Sequence, residues 1–164
     1  MTRLARTTAL VSLFWGVAAF LLDRVHKFYQ LEMAGWGGGE YVRVTDFFDY
    51  VLVWNTGISY GLFGDVPLVV LGVVIALAIV ALLVWWWNAA HALVQTGLMF
   101  CIGGAASNAV DRVVYGAVAD FFHFHWGEMS FYIFNIADVA ISFGVLLLIL
   151  DLIGFGHKKA ADAA

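Results

Sequence analysis

Charge is scarce in this chain: 12% of its 164 residues are Asp, Glu, Lys or Arg, while 63% are hydrophobic. A soluble domain averages about 25% charged and about 45–50% apolar residues. There is too little polar surface here to cover a water-borne core, and the surplus apolar surface calls for lipid. Cysteine is almost absent. With Cys101 alone, no intrachain disulfide can form and no Cys-rich metal site can be built; the residue lies in an apolar run and reads as a small packed hydrophobe. Proline occurs once, at Pro67, where it suits the first turn of a helix. A net charge of -4 offers no basic patch for nucleic acid. There is no internal repeat and no soluble extension beyond the polar tail GHKKAADAA, so one domain over residues 1–164 is expected.

Long apolar runs are what the chain has in quantity. About 20 apolar residues cross a bilayer, and four candidates occur, at about 7–23, 67–87, 90–110 and 136–154. The second is the clearest, with Trp85, Trp86 and Trp87 placed for an interfacial belt. The third is rich in small residues, which allow close helix contact, and is expected inside the bundle. Arg3 and Arg6 before the first span and Lys158 and Lys159 after the fourth put both termini on the cytoplasmic side, leaving 24–66 and 111–134 outside. The first span has the basic start of a signal peptide, but its apolar run continues to Leu22 without a good small-residue cleavage site, so an uncleaved anchor is expected. Residues 41–63, rich in β-branched and aromatic side chains, read as two or three short strands with the NTG of 55–57 as a turn between them. GWGGGE at 35–40 reads as a flexible connector.

Polar residues cluster at the outer ends of the spans. Asp23 and Lys27 are spaced i,i+4 and can pair. Gly104, Asn108, Asp111 and Arg112 share a face where the third span ends, and Asn135, Asp138 and Ser142 share one where the fourth begins. Ionisable groups at membrane depth usually face a bundle interior or a wet cavity. Asp120, in GAVADFFHFHWG, lies on the segment that returns the chain from the third span to the fourth, so it can meet Asp138 above the bundle. Two close carboxylates tend to share one proton, the ionised one taking a proton from water and the other hydrogen-bonding a carbonyl, which is aspartic-protease chemistry. Spacing alone leaves a second reading open, in which Asp138 is a helix cap and the others are ion pairs.

Five blocks in order, DRVHK (23–27), NTGISYGLF (55–63), GGAASNAVDR (103–112), VADF (118–121) and FNIAD (134–138), resemble those of the lipoprotein signal peptidase (signal peptidase II) family over nearly the whole chain. The resemblance implies a bacterial intramembrane aspartyl endopeptidase that removes signal peptides from prolipoproteins, cutting before a diacylglyceryl-modified cysteine. It places the catalytic aspartates at Asp120 and Asp138 and supporting residues at Asp23, Lys27, Asn55, Gly104, Asn108, Asp111, Arg112 and Asn135. The implied fold is a membrane all-α bundle of four transmembrane helices, with a small extracytoplasmic antiparallel β-sheet and an outer loop over the active site. The implied setting is the cell inner membrane, multi-pass, with the active site on the periplasmic side. No cofactor or metal is implied; the partners are prolipoproteins and membrane lipid, not nucleic acid, and the chain is expected to act as a monomer. The family often has Gly at Ser107, Phe at Tyr60 and Val at Ala119, and GWGGGE matches no block. Two rivals stand beside this reading. One is a metallohydrolase using His123 and His125 near Asp120, although H-E-x-x-H is absent. The other is a transporter or scaffold, for which no matched pair of interrupted helices is present.

Overall fold

The computed structural model describes residues 3–57 and 67–155. Four helices carry the architecture: α1 (Arg3–Phe28), α2 (Leu68–Asn88), α3 (Ala92–Tyr115) and α4 (Ile136–Leu152). Stretches of α1, α2 and α3 are long and apolar enough to cross a membrane, namely Thr7–Met33, Val69–Asn88 and Ala92–Tyr115. The fourth helix has 17 residues, or roughly 25 Å at about 1.5 Å per residue, the short end of what spans a bilayer. At its outer end α1 widens into a π-helical turn, Tyr29–Met33.

The position of each helix follows from its side chains. α2 is Val-, Leu- and Ala-rich all round and leaves most of its side chains exposed, as a lipid-facing helix does. Trp86 is an exception in kind, donating from Nε1 to Ser12 Oγ of α1 at 3.0 Å. α3, the small-residue helix, is central, and its most extensive packing is against α4 and α1. Glycine makes that approach possible. A Cβ on Gly97 would lie 2.7 Å from the Gly144 carbonyl oxygen of α4, and one on Gly103 would run into the Gly16 carbonyl of α1. Without a hydrophobic drive between helices in lipid, such backbone contact is what joins them. Gly103→Leu is therefore expected to push α1 from α3 and cost about 1–3 kcal/mol, the usual penalty of overpacking. A thermal midpoint unchanged in detergent would refute this.

The extramembrane part is one antiparallel sheet in the order β1 (Tyr41–Arg43), β2 (Phe48–Asn55), β3 (Val118–Trp126), β4 (Met129–Ser130). α3 stops at Gly116, whose φ of +75° is natural to glycine and whose N–H closes on the Arg112 carbonyl at 3.1 Å. The chain enters β3 two residues later. A bulge between Tyr50 and Val53 sets the β2–β3 register so that Val53 faces Asp120 and Asn55 faces Val118.

Three local expectations change. The turn between β1 and β2 falls at 44–47, and NTG instead follows β2; residues 58–63 of the expected β segment lie outside the described residues. The return segment holding Asp120 is a long strand of the sheet, because VADFFHFHW offers β-branched and aromatic residues that fit a pleated surface. GWGGGE is ordered: Glu40 accepts the N–H groups of Gly37 and Gly38, and Trp54 donates to the Gly37 carbonyl.

Candidate active site

The site is assembled where the sheet meets α4. Phe134 forms a single antiparallel bridge with Phe122 of β3, its N–H bonding the Phe122 carbonyl at 3.1 Å and its carbonyl accepting from Phe122 at 2.9 Å. The next residue, Asn135, is thereby set beside Ala119 and Asp120. It is also the N-cap of α4. Its Oδ1 accepts the Asp138 N–H at 2.9 Å while Asp138 Oδ2 accepts the Asn135 N–H at 3.1 Å, a reciprocal capping box. Asp138 is thus a cap, and it is something else as well. It lines a cavity of about 240 Å³ together with Asp120, Asn55, Asn108, Arg112 and Ser142.

Hydrogen bonds orient three amides around the two carboxylates. Lys27 Nζ can only donate, and it donates to Asn108 Oδ1 at 3.0 Å. That leaves the Asn108 NH₂ aimed at Asp138 Oδ1, at 2.9 Å. The capping box similarly occupies Asn135 Oδ1, so its NH₂ reaches Asp120 Oδ1 at 2.7 Å and Asn108 Oδ1 at 3.1 Å. Asn55 Oδ1 accepts the Gly57 N–H at 3.2 Å, turning its own NH₂ to Asp120 Oδ2 at 3.1 Å. Each carboxylate therefore receives two N–H donors. Burial, then the neighbouring Asp138 carboxylate, push the Asp120 carboxyl up to about 7 against the pull of these donors.

Behind the cavity lies a second, fully buried layer. Asp23, Lys27 and Asp111 are each 0% exposed. Lys27 Nζ is 2.8 Å from Asp23 Oδ2 and 2.6 Å from Asp111 Oδ2, so the expected i,i+4 pair exists within a larger network. Asp111 also pairs with Arg24 and accepts the Ala119 N–H at 3.2 Å. Asp23 Oδ1 accepts the Ala137 N–H at 2.9 Å, tying α1 to the first turn of α4, and Ser107 Oγ donates to its Oδ2 at 2.6 Å. Arg112 reaches the cavity, its Nη1 donating to the Asn108 carbonyl at 3.2 Å. Gly104 does not line it; a Cβ there would strike the Ala137 carbonyl, so its place is in the α3–α4 contact.

Sequence reading did not single out Arg24 as an ion-pair partner or Ser107 as a donor to Asp23. The DRVHK spacing puts Arg24 one residue off the Asp23–Lys27 face, and only the fold shows that α3 receives it. His123 and His125 are not beside Asp120. An odd separation puts Asp120 on the opposite face of β3, and both imidazoles turn to buried Asp49, at 3.4 Å and 3.0 Å from its Oδ2. Among the described residues, no group of three or more His, Cys, Asp or Glu is arranged to hold a metal ion.

A family model described as signal peptidase (SPase) II matches residues 16–154. A lipoprotein signal peptidase of Beijerinckia indica is 44% identical over 142 residues, covering 83% of this chain and 85% of its own length. Another, of Rhodopseudomonas palustris, is 46% identical over 156 residues, covering 88% and 93%. The fold resembles that of a solved bacterial membrane enzyme with a TM-score of 0.79 at 24% identity, over 94% of each chain.

Proposed function

Since the chain belongs to the signal peptidase II family, the aspartyl endopeptidases that remove signal peptides from bacterial prolipoproteins, we propose that Asp120 and Asp138 are its catalytic pair. The observation that carries this is their shared cavity, in which each carboxylate takes two N–H donors; burial and the neighbouring Asp138 raise the Asp120 carboxyl to about 7, in keeping with it. One carboxylate, ionised, takes a proton from water as the water oxygen attacks the scissile carbonyl. The other, protonated, hydrogen-bonds the carbonyl oxygen and stabilises the charge that develops there. Collapse of the resulting diol, with a proton delivered to the amide nitrogen, breaks the C–N bond and releases the amine of the mature chain. Asn55, Asn108 and Asn135 orient the pair, Arg112 meets the substrate backbone, and Asp23, Lys27, Asp111 and Gly104 hold the helices that carry them.

The protein is a multi-pass inner-membrane protein whose partners are prolipoproteins and membrane lipid. The finer reading is a single peptidase domain over residues 1–164 that acts as a monomer. The substrate cysteine carries diacylglyceryl, and the cut falls just before it. Burial of acyl CH₂ groups at about 0.8 kcal/mol each gives that group leverage in recognition. Purified protein incubated with one diacylglyceryl-modified prolipoprotein tests this: release of the signal peptide is the expected result, and an uncut substrate defeats the reading.

Both termini are cytoplasmic and the cavity periplasmic in this reading, on the Lys/Arg bias of the flanks. A reporter fused after residue 164 should signal from the cytoplasm and one inserted within 35–40 from outside; the reverse pattern would overturn the topology. The pH dependence follows from Asp120. The pair needs one proton, and the Asp120 carboxyl, raised to about 7, loses its proton as pH rises through that value. Cleavage should accordingly decline on the basic side with an apparent pKa near 7. Constant kcat from pH 6 to 9 would contradict it.

A further inference from the structure

We propose that the glycine-rich segment 35–40, locked by Glu40, is a brace that aims Asn55 at Asp120. This rests on the peptidase reading above and adds Glu40 to it as a positioning residue. In sequence the segment reads only as a flexible connector. Glu40 folds its own loop by accepting two backbone donors, Gly37 N to Oε1 at 2.7 Å and Gly38 N to Oε2 at 2.8 Å. The Gly37 N–H foremost among these holds the exposed Glu40 carboxyl below its ordinary value, so the clamp stays ionised throughout the neutral range.

The folded loop then grips β2 twice. The Gly37 carbonyl accepts Trp54 Nε1 at 2.7 Å, and Gly38 packs against the same indole, where a Cβ would sit 3.0 Å from Trp54 Cδ1. The φ of Gly38, +132°, is itself one that residues with a Cβ rarely adopt. The backbone of Leu52 is held as well, its carbonyl accepting Gly39 N at 3.0 Å and its N–H donating to the Glu40 carbonyl at 3.1 Å. Leu52 lies inside the bulged stretch between Tyr50 and Val53, where the β2–β3 ladder is interrupted. These bonds carry the β1–β2 ladder past Tyr41 and Val51, so the loop holds one edge of β2 at the point where its register with β3 shifts. Trp54, pinned on one face, is followed directly by Asn55, which faces the cavity and donates to Asp120 Oδ2 at 3.1 Å. Pairing with β3 sets the course of residues 53–55, and the hold on Trp54 adds the restraint that keeps the Asn55 amide on its aim.

Asp120 is also faced by Asp138 from α4, Lys27 from α1 and Arg112 from α3, all unaltered by changes in the loop. With 53–55 still paired to β3, loosening the brace should act mainly through the Asn55 side chain. The Asn55 amide favours the ionised form of Asp120, so its withdrawal raises the pH at which Asp120 loses its proton. The test uses the full chain and a diacylglyceryl-modified prolipoprotein. Glu40→Ala, and separately Gly38→Ala, should lower kcat about fivefold through misplacement of one donor, leave KM near the wild-type value, and move the basic limb of the pH profile upward. Asn55→Ala should give a shift in the same direction, and Glu40→Ala combined with Asn55→Ala should go no further than Asn55→Ala alone. Wild-type kcat and an unmoved limb in Glu40→Ala would overturn the brace. So would a double variant whose losses simply multiply. A wild-type chain that leaves the substrate uncut would defeat the peptidase reading itself, a different failure.

Discussion

Asp138→Asn is expected to insert and fold normally and to cut no prolipoprotein, a loss of about 10⁴-fold or more. The capping box makes this a clean test. Asp138 Oδ2 accepts the Asn135 N–H and its own N–H is received by Asn135 Oδ1. Asn retains one side-chain oxygen, enough to accept the Asn135 N–H, and the backbone half of the box is untouched. What Asn lacks is the ability to take up or release a proton. Asp120→Asn should fail equally, since its carboxyl shares the cavity and the Asn135 amide. The two together should be about as inactive as either alone, because groups acting as a unit are not additive. His123→Ala and His125→Ala, on the far face of β3 beside Asp49, should keep substantial activity, and a strong chelator should not inhibit. Cleavage by Asp138→Asn would reduce that residue to a cap. Inhibition by chelator, reversed by added zinc, would replace the aspartyl mechanism.

Lys27→Ala should be the most damaging change to stability. The ammonium is wholly buried and serves Asp23, Asp111 and Asn108 at once. Asp111 keeps Arg24, and Asp23 keeps the Ser107 hydroxyl and the Ala137 N–H, but Asp23 loses the ammonium that lies 2.8 Å from its Oδ2 in the core of the bundle. Removing one partner of a buried ion pair typically costs about 3–5 kcal/mol, because a charge is left without compensation. The thermal midpoint in detergent should fall accordingly. Activity at a permissive temperature should drop but persist above that of the dyad variants. Without Lys27, the Asn108 oxygen keeps the Asn135 donor but loses the ammonium, so its amide is held less firmly toward Asp138; the role is orientation and not proton transfer. A midpoint within error of wild type would show that the buried layer relaxes around the gap. Complete loss of activity in a normally folded protein would give Lys27 a part in the chemistry.

How much of this was legible beforehand depends on the range of the interaction that decides each feature. The helices were visible because lipid imposes one demand along the whole of an apolar run, and that demand is written in composition. The central place of α3 was visible in its small residues, since only they let backbones meet. The Asp23–Lys27 pair was visible because i,i+4 contact is local. The motif blocks named the residues of the candidate site, whereas the spacing of Asn135 and Asp138 by itself favoured a cap over catalysis.

Tertiary structure decided the rest. Asp120 meets Asn135 only because Phe134 bridges Phe122, a pairing between segments with no shared periodicity. The Asn108 amide faces Asp138 because Lys27, 81 residues away, and Asn135 both donate to its oxygen. His123 and His125 are near Asp120 in sequence and on the other face of its strand, which the pleat decides once the strand exists. GWGGGE looked like a flexible connector because glycine permits almost any backbone. Its order comes from Glu40 and Trp54, and a cradle built from backbone donors leaves no hydrophobic pattern to read. Sequence by itself determined the solvent of this protein and the chemical groups available to it; the fold determined which of those groups touch, because contact between distant segments is set by packing and hydrogen bonds that no local pattern encodes.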